Sequence, residues 1–261
     1  MARICKVIFS TNRLEYLTKT LKAQQKIDWT GHEVDGLFFD DYPKGRNDPL
    51  VDALVRAYGY TEVYLHKENK GLSTTWKEFW DLIKTRNYDY IWQTEDDVEV
   101  LYPFRITDLI NLLIGDPQLS QVGLKRQKWY STEEETCLKG SDWMYMNYRY
   151  EKDHALFSPM ATLYPIERTR IDYRAWYQEH YPETNWENIS YNEGMVGKAL
   201  HEGFGLVSGL LKNQQGQPMI HHIGEFFVGK RVLPHEPGYE KFAQYDPEKK
   251  YFSRDGSDYV E

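Results

Sequence analysis

Short apolar runs alternate with helical stripes through the first hundred residues. Ile4 to Phe9 is a β-branched and aromatic run closed by Ser10-Thr11-Asn12-Arg13, and Leu14, Leu17 and Leu21 then recur at i, i+3 and i+7. That pattern predicts a strand, a polar turn and a helix capped by Thr11 or Asn12. The unit repeats. Val34 to Phe39 ends at Asp40-Asp41-Tyr42-Pro43, before a stripe of Val51, Leu54, Val55 and Tyr58. Val63-Tyr64-Leu65 is followed by Asn69-Lys70-Gly71 and by Trp76, Phe79, Trp80 and Ile83, and Tyr90-Ile91-Trp92 runs into Thr94-Glu95-Asp96-Asp97. Strands alternating with helices of ten to fifteen residues predict βαβ units, right-handed crossovers and a parallel sheet. The polar ends at 10–13, 40–41 and 94–97 then meet at the carboxyl edge, where open α/β sheets bind ligands.

Beyond residue 100 the alternation weakens. A helix over Ile110, Leu112 and Leu113 is stopped by Gly115-Asp116-Pro117, and Val122-Gly123-Leu124 reads as a strand. Residues 127–153 carry Trp129, Tyr130, Trp143, Tyr145, Tyr148 and Tyr150 without a period, and a loop of that length in a compact domain is usually functional or mobile. Strand character returns over Phe157 to Ile166, a helix is expected over Asn192 to Leu200, and a charged surface tail from Pro234.

Composition narrows the function classes. A hydrophobic share of 41% and a charged share of 28% over 261 residues describe a folded chain whose core needs no staple. The formal charge of −8, with no basic run, argues against a nucleic-acid partner. Aromatic residues make up 15%, with 21 Tyr and 8 Trp, and such rings suit sugar faces and bases as well as a large core. Cys5, in an apolar run, and Cys137 are expected to be reduced thiols. With no run of ~18 apolar residues and no signal-like N-terminus, a cytoplasmic location is expected, host cytoplasm for a viral protein, with no transmembrane segment. Phosphate-loop, dinucleotide, zincin and nucleophile-elbow motifs are missing.

The strongest chemical signal is Thr94-Glu95-Asp96-Asp97-Val98-Glu99. Three consecutive carboxylates after an apolar strand repel one another unless a cation or donors lie among them, so a hard metal such as Mg²⁺ or Mn²⁺ is the economical explanation. An acidic turn capping a helix is the plainer alternative.

In this order, strand into Ser-Thr-Asn-Arg, strand into Asp-Asp, Asn69-Lys70-Gly71-Leu72-Ser73-Thr74-Thr75-Trp76 and the acidic motif, the chain resembles GT-A-fold glycosyltransferases over residues 4–100. The segment at 69–76 is similar to the N-x-G-L-S-x-x-W stretch of a large inverting family, and the acidic segment to an E-D-D version of D-x-D. The resemblance implies one GT-A-like α/β domain with a mostly parallel sheet flanked by helices: a nucleotide-sugar half at 1–100, an acceptor half at 101–235 and a tail at 236–261. It implies that Ser10, Thr11, Asn12, Arg13, Lys70, Gly71, Glu95 and Asp96 meet the donor and that Asp40 or Asp41 takes uracil or ribose. Asp97 would touch the metal, whereas Glu95, longer than the first Asp of D-x-D, would act through water or on the sugar. Ser10, Thr11 and Asn12 are also ordinary helix-cap types. Lys77 departs from the Asn often found after the Trp.

Two later segments extend the likeness. Tyr191-Asn192-Glu193-Gly194-Met195 resembles the E-D-x-x-L segment whose second acid is commonly the base, which maps to Glu193; a first-turn Glu also suits the helix dipole. Asp142 and Asp153 are the next candidates. His221-His222-Ile223-Gly224 resembles a C-terminal His-x-Gly segment; neighbouring side chains on an extended stretch face opposite ways, so one histidine, His222, is expected on the metal. Lys230 and Arg231 would meet the diphosphate. The implied activity is metal-dependent transfer from a nucleoside-diphosphate sugar, a UDP-sugar by expectation, to a hydroxyl of a glycan, protein or lipid with inversion. A sugar nucleotidyltransferase and a noncatalytic carbohydrate-binding protein are the alternatives.

Overall fold

The computed structural model describes residues 1–126, 143–145, 148–153, 160–183 and 193–223. Three βα units open the chain: β1 (Arg3–Ser10) and α1 (Leu14–Ala23), then β3 (Glu33–Asp40) and α2 (Asp48–Ala57), then β4 (Glu62–Leu65) and α3 (Leu72–Ile83). A two-residue strand, β2 (Ile27–Asp28), lies between the first two units, and β5 (Tyr90–Glu95) and β6 (Val98–Val100) flank the acidic turn. The expected elements over 4–95 are present, with one difference at the first helix. Its N-cap is Arg13, which makes no side-chain cap hydrogen bond. The Thr11 amide is instead spent on Asp96, and Asn12 takes a left-handed φ of 59°.

β1 pairs in parallel with both β3 and β5, and β3 with β4. Ile4, Cys5, Val7 and Ile8 are fully buried, because helices cover both faces of this sheet. On one face Ile8 and Phe38 meet Leu17 and Leu21 of α1 and Val51 and Val55 of α2. On the other, Cys5, Val7 and Phe9 meet Trp76, Phe79, Trp80 and Ile83 of α3. The motif tryptophan Trp76 is therefore a core residue, donating its Nε1–H to Gln93 Oε1 at 3.1 Å.

The second half completes a nine-stranded mixed sheet in the order β4-β3-β1-β5-β11-β8-β12-β10-β9. Its members are β8 (Leu119–Leu124), β9 (Trp143–Tyr145), β10 (Tyr148–Asp153), β11 (Thr162–Pro165) and β12 (Val207–Asn213), with helices α4 (Ile106–Gly115), α5 (Tyr173–His180) and α6 (Glu193–Phe204). Sequence periodicity gives no sign of β9, β10, β12 or α5. β10 lies inside the segment expected to be an aperiodic loop. It pairs antiparallel with β12 and β9, so backbone hydrogen bonds hold it without an apolar run. Of the strand expected over 157–166, β11 covers Thr162–Pro165, Ile166 begins a 3-10 turn, and 157–159 lie outside the described residues. The tail from 234 and Cys137 lie outside the described residues. Among the described residues, no helix is long and apolar enough to cross a membrane.

Two small ribbons lie off the sheet. β7 (Phe104–Arg105) pairs with β2, and β13 (Ile220–His222) pairs antiparallel with β6, setting His222 opposite Val98.

Candidate functional site

Strand order reverses between β1 and β5, since β3 and β4 extend the sheet on one side of β1 and the chain returns to its other side. Such a switch point leaves a crevice at the carboxyl ends of the two strands. Those ends are Ser10–Arg13 and Glu95–Asp97.

The two loops are locked together by buried polar contacts. Thr11 N–H donates to Asp96 Oδ2 at 3.1 Å, and Asp96 N–H donates to Phe9 O at 3.0 Å. Arg13 grips both acids: its Nη2 and Nε–H meet Asp96 and its Nη1 meets Asp97 Oδ2. Ser10 Oγ lies 2.8 Å from Asp40 Oδ2 and 2.9 Å from Asp96 Oδ2. One hydroxyl proton serves one of these at a time. Burial, the largest influence, pushes the Asp96 carboxyl up; Arg13 pulls it down and the Asp97 charge adds to the rise.

Thr20, on α1, is a site residue that sequence patterning missed. It accepts the Val98 N–H at 3.1 Å and donates to Asp96 O at 2.8 Å, pinning the acidic turn from beneath. Its only signal in the sequence is a hydroxyl on the buried stripe beside Leu17 and Leu21.

Asp40 and Asp96, expected among the donor contacts, are fully buried and have their carboxylates consumed inside the protein. Asp40 accepts from Ser10 Oγ, Asn12 N–H and Tyr42 N–H and pairs with Arg46 at 2.8 Å. Asp41 is placed differently. His66 Nδ1 at 3.0 Å and Lys70 N–H at 2.9 Å both fall on its Oδ1. His66 Nε2 reaches Glu78 at 3.2 Å, and Lys70 Nζ reaches the same carboxylate at 2.8 Å. Gly71 then caps α3 with φ 82°, a left-handed value that favours glycine, and a Cβ there would meet open space.

Glu95, Asp97 and His222 offer one ligand atom each, all within 4.8 Å of one another. His222 Nε2 stands 3.1 Å from Asp97 Oδ1 and 4.0 Å from Glu95 Oε2. Around an octahedral ion with bonds of about 2.1 Å, adjacent ligands are about 3 Å apart and opposite ones about 4.2 Å. The two separations from His222 match those values. Asp97 Oδ1 is buried and accepts no aligned hydrogen bond, while Oδ2 is held by Arg13. Burial disfavours the Asp97 charge, but a protonated His222 and Arg13 outweigh it and hold the carboxyl well below the usual range, and Arg13 stays in place when His222 is neutral, as a ligand must be. Imidazole with two carboxylates is a donor set that fits Mn²⁺ and admits Mg²⁺. His221 points away, 4.0 Å from Glu99.

The backbone of Glu193 opens α6, but its side chain lies outside the described residues, as do the side chain of Asp153 and all of Asp142, Lys230 and Arg231.

No protein-family model and no curated protein sequence matches the chain. Solved structures do. TarS from S. aureus, residues 1–349, superposes with a TM-score of 0.50 at 10% identity, over 87% of this chain and 62% of TarS. A second TarS structure, in complex with UDP, gives 0.50 at 11% identity over 84% and 60%. GalNAc-T7, solved with UDP, GalNAc and Mn²⁺, gives 0.58 at 11% identity over 85% of this chain and 44% of its own. The chain thus spans less than two thirds of each of these neighbours, and it has the GT-A-like fold that its ordered loop motifs imply.

Proposed function

We propose that the protein is a glycosyltransferase that uses a divalent metal and a nucleoside-diphosphate sugar, a UDP-sugar, to glycosylate a hydroxyl with inversion. The observation that carries this reading is the triad of Glu95, Asp97 and His222 at metal-ligand spacing on the switch point of a GT-A-like sheet. In support, TarS has been solved with UDP, and GalNAc-T7 with UDP, GalNAc and Mn²⁺.

In this reading residues 1–100 bind the donor, 101–235 serve acceptor and catalysis, and 236–261 pack outside. Asp97 and His222 hold the ion, with Glu95 as a third ligand or acting through water. When bound, the ion supplies countercharge to the diphosphate. Thr11 and Asn12 line the nucleotide pocket, and Arg13 keeps Asp97 ionised and oriented. Asp41, whose contacts fall on Oδ1, offers Oδ2 to uracil N3–H or to the ribose. Lys230 and Arg231 neutralise the leaving phosphate oxygens. Glu193, at the N-terminus of α6, takes the proton of the acceptor hydroxyl as that oxygen attacks the anomeric carbon from the face opposite the nucleotide.

A thermal-shift panel of UDP, CDP, GDP and dTDP with and without Mn²⁺ tests the donor. UDP should stabilise most and only with metal, and it should exceed CDP because cytosine lacks the N3–H that a carboxylate reads. Equal shifts for UDP and CDP, or a larger one for GDP, would remove UDP. For the base, Glu193→Gln keeps the size of the side chain but cannot accept the proton, so transfer should fall by ~10²-fold or more with UDP binding retained. Turnover close to wild type, or product NMR showing retention of configuration, would place the base elsewhere.

A further inference from the structure

A cavity of ≈ 680 Å³ lies on the outer side of α3, between that helix, the turn at 169–174 and Met195 in the first turn of α6. Lining positions run along α3 from Ser73 to Lys84, a length of roughly 16 Å at the helical rise. One end begins beside the Gly71 cap and the start of α6. α3 follows β4 from the carboxyl edge of the sheet, so that end of the groove lies toward this edge, although Glu95, Asp97 and His222 do not line it.

The other end is basic. Lys77, Lys84, Arg170 and Arg174 line the groove against two carboxylates, Asp81 and Asp172, in a chain whose net charge is −8. Asp172 is committed to capping α5 through the Ala175 N–H at 2.9 Å. Asp81 is shared by Lys77 and Lys84, and its side chain is 46% exposed. Exposed pairs of this kind hold only weakly, so an arriving anion displaces them readily. Among the described residues, Arg170 spends its Nε–H on Lys84 O at 3.2 Å and leaves both Nη groups for a ligand. A guanidinium fork suits phosphate and carboxylate alike.

We propose that this groove binds an anionic sugar chain, with its phosphate or carboxylate on Lys84, Arg170 and Arg174 and its uncharged end directed toward the sheet edge. Naming that chain as the acceptor rests on the transferase reading; the binding site itself does not.

The test is a chemical-shift titration of the full chain with glucose 6-phosphate, glucuronate and glucose, the first two separating phosphate from carboxylate. At least one charged sugar should shift resonances of the α3 face and of the turn at 169–174. Glucose should bind roughly tenfold more weakly or worse, as expected when charge-assisted hydrogen bonds are lost. The triple variant Lys84→Gln, Arg170→Gln, Arg174→Gln should lose that preference while keeping UDP binding, and UDP with Mg²⁺ should leave the charged sugar in place. Equal binding of glucose, an unchanged preference in the triple variant, or displacement by UDP would overturn the proposal. A charged sugar bound in the groove of a protein that ignores UDP would defeat the transferase reading and leave the groove standing.

Discussion

Asp97→Asn is expected to abolish metal-dependent nucleotide binding. The substitution removes the charge but keeps the shape, and a neutral amide is a poor substitute for the carboxylate that His222 faces at 3.1 Å. Residues that merely orient metal ligands are each worth 10–100-fold in affinity, so loss of a ligand itself should exceed about 10²-fold. The fold should survive, because Arg13 keeps Asp96 as its partner. Calorimetry of UDP with and without Mn²⁺ reads the effect. A variant that retained its Mn²⁺ dependence would take Asp97 out of the metal site. A matched His221→Ala variant should leave binding near wild type, since His221 sits beside Glu99 on the other face of the ribbon.

The second large effect is on stability. Asp40→Ala should destabilise the protein by about 3–5 kcal/mol, the usual cost of breaking a buried, hydrogen-bonded ion pair. Both side chains of the Asp40–Arg46 pair are 1% exposed, and the same carboxylate also satisfies Ser10 Oγ and two backbone amides. At roughly 2–4 °C per kcal/mol, Tm should fall by roughly 6–20 °C. Asp48→Ala removes the other acid on Arg46, but that acid is 56% exposed, so its cost should be small beside that of Asp40→Ala. Urea unfolding of the two variants decides the matter. Equal costs would show that Asp40 is not the hub of the donor-side loops.

These outcomes bear on a crevice that the sequence marks only in outline. Runs such as Ile4 to Phe9, followed by helical stripes, determined the βα units and hence which loops share an edge, because burial of both sheet faces forces continuous apolar strands and 3.6-residue stripes. The acidic turn was legible for a related reason: adjacent carboxylates after a strand need a cation or donors among them. Periodicity could not reveal the polar strand β10, which is held by backbone pairing. Nor could it show that Asp40 and Asp96 turn inward while Asp97 and Glu95 gather with His222. That division depends on Arg13, Thr20 and Arg46, whose partners lie 83, 76 and 6 residues away in sequence. Hydrogen-bond partnership over such distances has no local period. Adjacent acids of one sequence motif therefore became a brace and a candidate metal ligand only when the switch point of the sheet and the β6–β13 ribbon set each one's neighbours.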